Sequence, residues 1–307
     1  MTDATDRVLV TGAGGPAGVA VIRELQRLGH HTIGVDSSQD AVGLRLADHA
    51  GVVPMANDPG LAYALSVLAK QYNATALIST IPDEMVALQP LEVPHWFPSK
   101  EALKLCCDKW KFYCAAKSVV NVPPTAHMLR ETIPGSWVVK PRFGHGSKGI
   151  EYADTILELG AAWERVSKPI VQQFVSGREA TIDILIDYDG ILLACVPRWR
   201  DETRGGISVR GETFHHKTLV RQVQQLVLAL GLTGSANVQC FISGTTVTFI
   251  EVNPRFSGGL PLSLASGADL VGQHLRGIHG LPLETDKLKH KTGVKMFRHF
   301  SEVYENA

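Results

Sequence analysis

Residues 249–259 carry the sequence F-I-E-V-N-P-R-F-S-G-G, which follows the β-branched run Thr245–Thr248. The pattern predicts a strand that ends at Pro254, because proline cannot continue a hydrogen-bonded ladder. Side chains two apart in a strand share a face, so Glu251 and Asn253 leave together, next to Arg255. A carboxylate and an amide oxygen suit Mg²⁺, which binds few protein oxygens and takes others from phosphates. A solvated edge strand is the alternative that E-x-N alone leaves open.

Length and composition indicate a soluble globular protein of about two domains. The chain has 307 residues, 45% hydrophobic and 20% charged, with a formal net charge of zero. Without a basic excess it has no field to attract nucleic acid or anionic lipid. It lacks a secretion signal and any long apolar run, so we expect a cytoplasmic protein without a membrane partner. Its five cysteines lack ligand-like spacing and are expected to be reduced thiols.

The N-terminal segment predicts a βαβ unit. A short strand ends at Val10, a glycine-rich turn spans Gly12–Gly18, a helix follows up to Gly29, and a second strand closes at Asp36. In a dinucleotide-binding domain such glycines approach a phosphate and such an acid binds a ribose hydroxyl. The same glycines also serve simply to turn tightly and pack the helix, so both interpretations stay open.

The alternation continues up to residue 85 or so, which gives four strands with intervening helices. Three prolines, Pro90, Pro94 and Pro98, then mark a linker, and we place a domain boundary near residue 98. From Ser99, an N-cap candidate, the sequence predicts one helix that includes Asp108.

The next motif is a lysine ahead of a glycine-rich loop. Lys140 ends a predicted strand, and residues 142–150 contain three glycines, a serine and two cations, with Gly146 and Ser147 at the centre. Free N–H groups on such a loop can fold over phosphates, although the order of a Walker loop is absent. A plain β-hairpin is the alternative.

Two further features come from the second half. Four arginines fall in one predicted loop beside Gly205-Gly206: Arg198, Arg200, Arg204 and Arg210. The loop is either a solvated charged surface or a binding site for a carboxylate or a phosphate. The strand 235–242 is expected to pair with the Glu251 strand. A three-residue connection, 244–246, would set Gln239 opposite Glu251 and add a third oxygen ligand.

Three motifs together resemble a known family. They are Lys140 with its loop, V-Q-Q-F-V-S-G-R-E at 171–179, and N-V-Q followed by F-I-E-V-N-P-R at 237–255. In this order they resemble the ATP-grasp superfamily, above all carboxylate–amine ligases related to the carbamoyl-phosphate synthase large chain. The resemblance covers essentially the whole chain. It implies an α/β protein, α+β in its C-terminal half, with a Rossmann-like domain at 1–98, a small lid subdomain at 99–171 and a central subdomain at 172–307.

The resemblance also implies roles for individual residues. Lys109 and Lys140 match phosphate-binding lysines, and Gly146 and Ser147 lie in the lid over the triphosphate. The hinge that meets adenine corresponds to Gln172, Gln173 and Val175, with glutamine at 172 where many relatives have glutamate. Glu179 matches the acid on the ribose, Arg255 the arginine on the transferred phosphoryl group, and the Mg²⁺ ligands are matched by Gln239, Glu251 and Asn253. Arg210 is assigned, with Arg204, to the acid substrate.

The implied reaction is amide formation. A small-molecule carboxylate attacks the γ-phosphorus of ATP, and an amine or ammonia then attacks the acyl phosphate, with two Mg²⁺ ions, or Mn²⁺, as cofactor. An NAD(P)-dependent oxidoreductase and a non-catalytic nucleotide-binding regulator are the rival classes. Neither the two substrates nor a homodimeric state follows from the sequence.

Overall fold

The computed structural model describes residues 5–129, 133–144, 146 and 148–305. Its helices are α1 (Pro16–Arg27), α2 (Val42–Leu46), α3 (Leu61–Gln71), α4 (Pro82–Leu88), α5 (Lys100–Cys106), α6 (Lys109–Ala116), α7 (Ile156–Arg165), α8 (Leu219–Leu230), α9 (Leu260–Ala265) and α10 (Leu270–Ile278), with a 3-10 helix at Thr285–Leu288. The strands are β1 (Arg7–Thr11), β2 (His31–Asp36), β3 (His49–Val52), β4 (Ala76–Ser79), β5 (Thr125–Ala126), β6 (Trp137–Pro141), β7 (Glu151–Ala153), β8 (Pro169–Gln173), β9 (Arg178–Ile186), β10 (Leu192–Trp199), β11 (Glu202–Arg204), β12 (Ile207–Glu212), β13 (Gly234–Ser243), β14 (Thr246–Asn253) and β15 (Lys295–Phe297).

The N-terminal residues form the predicted parallel sheet. Its strand order is β3-β2-β1-β4, which is the order of the first four strands of a dinucleotide-binding fold. Pro16 opens α1 at its first turn, where a missing N–H costs nothing. The two short helices α2 and α4 were missed by the sequence analysis, because five and seven residues are too few to establish a helical period.

The single helix predicted after Ser99 is wrong. Ser99 does cap α5, accepting a hydrogen bond from the N–H of Ala102, but α5 ends at Cys106. Asp108 then caps a second helix, α6, by accepting from the N–H groups of Trp110 and Lys111. Aspartate competes with the helical backbone for such bonds, so its place is at a helix start and not inside one.

Three further sheets follow. A four-stranded antiparallel sheet has the order β5-β8-β6-β7, and its core is shared with α7. A second has the order β10-β9-β13-β14, and β11-β12-β15 form a three-stranded sheet beside it. The fold is therefore α/β followed by α+β, as the sequence predicts.

The hydrophobic cores bear on how the chain is divided. One core joins α1 and the N-terminal sheet to β9, β10 and α10. A second packs α5 and α6 with α8 and the β9-β13-β14 face. Thus α5 and α6 share a core with the central sheet and not with the sheet that holds α7, and residue 171 lies within β8. The domain limits given above stay a prediction. None of the helices in the described part of the chain is both long and apolar enough to span a membrane.

Trp96, in the proline-rich linker, joins the two halves by aromatic packing. Its ring is 3% exposed and stacks on Tyr188, with centroids 4.5 Å apart, and on His274 of α10 at 5.3 Å. Gly277 lies beneath it, and a methyl group there would come within 1.9 Å of the indole. The packing of Trp96 in the linker therefore requires glycine at position 277.

We predict that Gly277→Ala lowers the free energy of unfolding by about 1–3 kcal/mol, because the buried ring must move to admit a methyl group. The measurement is urea unfolding followed by circular dichroism. Gly160→Ala in α7 is the matched control. It is also a helical glycine, nothing lies within 4 Å of its added methyl, and it should be neutral or stabilising by up to about 1 kcal/mol. Equal stabilities of the two variants would contradict this packing role.

Candidate active site

A cavity of about 320 Å³ lies where the sheets meet. It is lined by Pro16 of α1, by described residues of the β6–β7 loop, and by residues of β9, β13 and β14. Most residues that the sequence assigned to the site line it: Lys109, Lys140, Gly146, Gln172, Gln173, Val175, Glu179, Gln239, Glu251, Asn253 and Arg255. Ser147 lies outside the described residues, and Arg210 is not on the cavity wall.

The strand pairing that aligns Gln239 with Glu251 is observed, although the predicted connection is wrong. Ser243 pairs with Thr246, so the turn has two residues, with Gly244 at φ +58. A β-bulge at Ile250 supplies the extra residue, since Cys240 pairs with Phe249 and Gln239 with Glu251. A bulge turns consecutive side chains to one face, and both Ile250 and Glu251 border the cavity.

The oxygen ligands predicted for a metal lie on this wall. Asn253 donates an N–H to Glu251 Oε1 at 3.0 Å, and the amide oxygen of Gln239 accepts from Arg200 at 3.1 Å. No group of three or more His, Cys, Asp and Glu side chains in the described residues is arranged to hold a metal. One carboxylate and two amides therefore fit an ion that takes its other ligands from phosphate and water, as Mg²⁺ does.

Two lysines, one buried and one half-buried, line the same cavity as these oxygens. Lys140 is 7% exposed and donates to Gln172 Oε1 at 2.8 Å, and Lys109 donates to the carbonyl of Gly144 in the loop at 2.6 Å. Burial lowers the pKa of Lys140 to about 8 against the attraction of Glu251, and burial lowers the pKa of Lys109 as well. Neither amine forms an ion pair with a carboxylate of the described residues, and charged amines so placed in a cavity favour an anionic ligand.

The loop after β6 is a hairpin connection that also borders the cavity, and its role over phosphates stays a prediction. It joins the antiparallel strands β6 and β7 and so is a hairpin connection, and Gly144 and Gly146 line the cavity. Both glycines have positive φ, +104 and +75. Arg142 ties the loop to α6 by a two-bond pair with the cap residue Asp108, at 2.7 and 2.6 Å. This pair holds Lys109, which follows Asp108, under the loop.

The four clustered arginines separate into two kinds. The segment is a β-hairpin and not a flexible loop, and Arg204 and Arg210 are exposed on it, Arg210 opposite Glu202 and Phe297. Arg198 and Arg200 instead line the cavity. The assignment of Arg210 to the acid substrate therefore has no geometric support.

Arg198 and Asn237 were missed as positioning residues. Arg198 is 1% exposed and pairs with the buried Asp183 at 2.8 Å, and it also donates to Ser257 at 2.6 Å. Asn237 donates to the backbone carbonyl of Arg255 at 3.0 Å. These bonds fix the segment after β14 on the central sheet. The sequence signal for Asn237 was the N-V-Q motif at 237–239, in which only Gln239 had been assigned a role.

The glycine turn at Gly12–Gly18 is closed by its own acid. Asp36 accepts from the N–H of Gly14 at 2.8 Å and from that of Ser38 at 3.0 Å. Each of its two oxygens thus accepts one local hydrogen bond, and these bonds give Asp36 a structural role in the turn.

Comparison with known proteins agrees with this geometry. A family model for the ATP-grasp domain matches residues 106–259, half of the chain. The chain is 27% identical over 302 residues to the formate-dependent phosphoribosylglycinamide formyltransferase of Erwinia tasmaniensis, covering 90% of this chain and 76% of that one.

Two solved structures share the fold. They are biotin carboxylase from Campylobacter jejuni (TM-score 0.75, 18% identity, 93% of this chain and 73% of that one) and an L-amino acid ligase from Bacillus licheniformis (TM-score 0.74, 18% identity, 94% and 78%). The protein belongs to the ATP-grasp family of enzymes.

Proposed function

We propose that the protein is a carboxylate–amine ligase that forms an amide through an acyl phosphate and releases ADP and phosphate. The observation that carries this proposal is that Glu251, Asn253, Lys140 and Arg255 border one cavity. The names of the relatives support the same class, because formyl transfer from formate and amino acid ligation each join a carboxylic acid to an amine.

The first step is in-line phosphoryl transfer. A carboxylate oxygen attacks the γ-phosphorus, the bond from that phosphorus to the β,γ-bridging oxygen breaks, and ADP leaves. Lys140 and Lys109 are placed to hold phosphate oxygens, and Arg255 to neutralise charge on the transferred group. Mg²⁺, when bound at Gln239, Glu251 and Asn253, supplies further positive charge to the phosphates.

In the second step the amine nitrogen attacks the acyl carbon, phosphate leaves with its bonding electrons, and the nitrogen loses a proton. Water would hydrolyse the acyl phosphate, so the intermediate needs a closed site. The glycine-rich loop is placed for this purpose. Its Gly146 lies so close to Gly206 of the β11–β12 turn that a methyl group on Gly206 would be 3.0 Å from the Gly146 carbonyl.

The acid substrate is expected at the end of the cavity that Pro16 lines. That end is lined by small residues, and backbone approaches closely there. A methyl group on Gly258 would lie 3.1 Å from Pro16, and one on Gly259 would lie 2.2 Å from Arg198. Because Arg198 is already paired with Asp183, we assign the carboxylate of the acid substrate to the other arginine of this segment of the wall, Arg255. We therefore expect a small acid.

The reaction class is tested with purified protein, Mg²⁺-ATP and a panel of small acids, with hydroxylamine as a trapping amine. We expect ADP and phosphate in equal amounts and, with the correct acid, an acyl hydroxamate detected by mass spectrometry. AMP as the stoichiometric product would overturn the mechanism. Saturable NADH binding, abolished in Asp36→Ala, would favour the oxidoreductase alternative instead.

Replacing Glu251 by glutamine removes the one carboxylate among the proposed ligands while keeping its shape. We predict that Glu251→Gln lowers turnover by at least about 100-fold, because transition-state charge is then poorly neutralised. Phosphate release is the assay, with circular dichroism to verify folding. Glu202→Gln, on the exposed hairpin, is the control and should behave as wild type. An active Glu251→Gln enzyme would show that the metal site is assigned wrongly.

The lowered pKa of Lys140 predicts a pH dependence of nucleotide affinity. Below about pH 8 the free enzyme carries a protonated Lys140; above it the amine loses its charge unless a phosphate holds the proton in place. Phosphate thus raises the pKa, so binding takes up protons near pH 8 and affinity falls as the pH rises further.

We expect Mg²⁺-ADP to bind more weakly at pH 9 than at pH 7.5, by up to about tenfold per pH unit above the pKa. Isothermal titration calorimetry in two buffers of different ionisation enthalpy measures the proton uptake. Lys140→Met should bind weakly and without this proton uptake. A pH-independent affinity of the wild type would refute the assignment of Lys140 to phosphate.

A further inference from the structure

Arg200 is a buried arginine that the proposed reaction does not use. It lies just after β10, its side chain is 7% exposed, and it lines the cavity. It makes three hydrogen bonds: Nη1 donates to Glu179 Oε1 at 2.5 Å and to Gln239 Oε1 at 3.1 Å, and Nη2 donates to the carbonyl of Gly206 at 2.9 Å. All three acceptors belong to residues of the cavity wall.

These acceptors lie in different functional parts of the site. Glu179 is the proposed ribose ligand, Gln239 is a proposed Mg²⁺ ligand, and Gly206 is in the turn that contacts Gly146 of the glycine-rich loop. One guanidinium therefore connects the sugar end, the metal end and the cover of the cavity.

The chemistry of arginine determines how its two side-chain partners lie. A guanidinium only donates and stays charged, so it fixes the amide of Gln239 with its oxygen, and not its NH₂ group, toward Arg200. A carbonyl oxygen has two lone pairs, which leaves one for an ion. Glu179 is half-buried. Burial raises the pKa of its carboxyl, and the guanidinium of Arg200 opposes that rise; no described residue donates a side-chain hydrogen bond to its second oxygen, which can therefore accept from a hydroxyl.

We propose that Arg200 is a positioning residue that holds the ribose ligand and the metal ligand in one network, so that binding of the ribose and binding of Mg²⁺ are coupled. This inference rests on the proposed function, because it uses the assignments of Glu179 and Gln239. It predicts that one substitution at Arg200, which takes no part in the phosphoryl transfer, changes both the Mg²⁺ requirement and the preference for ATP over 2′-deoxy-ATP.

The test compares Arg200→Met with Arg210→Met, an arginine of the adjoining hairpin that is exposed. Two quantities are measured by phosphate release: the Mg²⁺ concentration for half-maximal turnover at saturating ATP, and the ratio of kcat/KM for ATP to that for 2′-deoxy-ATP. We expect Arg200→Met to raise the Mg²⁺ requirement by about 10–100-fold and to bring the ratio toward one. Arg210→Met should leave both unchanged.

Arg200→Lys provides a second variant in case the methionine variant does not fold. It keeps the charge but lacks the planar fork needed to reach three acceptors, so its Mg²⁺ requirement should stay raised. A double-mutant cycle with Glu179→Gln adds a readout that a general loss of stability would not give. Arg200→Met removes the cation and Glu179→Gln removes the anion of the same ion pair, so their effects on the Mg²⁺ requirement should not add.

A folded Arg200 variant with the wild-type Mg²⁺ requirement and the wild-type preference for ATP would overturn this inference. So would additive effects in the double-mutant cycle. Neither result would affect the proposed reaction, which is tested separately by the products that the wild-type protein forms with the panel of acids.

Discussion

The site depends on the register between β13 and β14. In a sheet a shift of one residue moves every side chain to the opposite face, so the pairing of Gln239 with Glu251 decides whether the ligands meet. A two-residue turn at Gly244 alone would give a register one residue different from the observed one. The bulge at Ile250 corrects it, and it also lets Phe249 and Val252 stay in the core while Glu251 and Asn253 face the cavity.

Charge is the second constraint on this cavity. Among the described residues, five cations outside the Arg198–Asp183 pair border it together with two carboxylates. They are Lys109, Lys140, Lys148, Arg200 and Arg255, with Glu179 and Glu251. Burial lowers the pKa values of both lysines and of Arg255, and it raises that of Glu179. Holding excess positive charge away from water costs free energy, which a bound polyanion recovers. The charges of the site therefore favour an anionic ligand, such as the triphosphate of the proposed reaction.

Around these groups the protein uses buried polar bonds to fix backbone. Asp183 and Arg198 form an ion pair inside the fold, and Ser257 and Ser263 complete its hydrogen bonds. Breaking such a pair leaves an uncompensated charge, so the geometry of the segment after β14 is strongly imposed. The same segment carries Arg255 and the small residues that narrow the acid end. The position of Arg255 thus follows from the buried Asp183–Arg198 pair in the core.

The sequence by itself determined the local patterns: strands and helices of the N-terminal unit, the shared face of Glu251 and Asn253, the loop after Lys140, and the family that these motifs resemble. Periodicity and turn chemistry act over a few residues, so they can be read directly. Tertiary structure decided what depends on distant partners. It showed that Asp108 starts a helix and holds Arg142, that a bulge and not a longer turn sets the register, and that Arg200 faces the cavity while Arg210 faces solvent. An arginine side chain carries the same charge in either place, and only the packing of the hairpin against the central sheet distinguishes them.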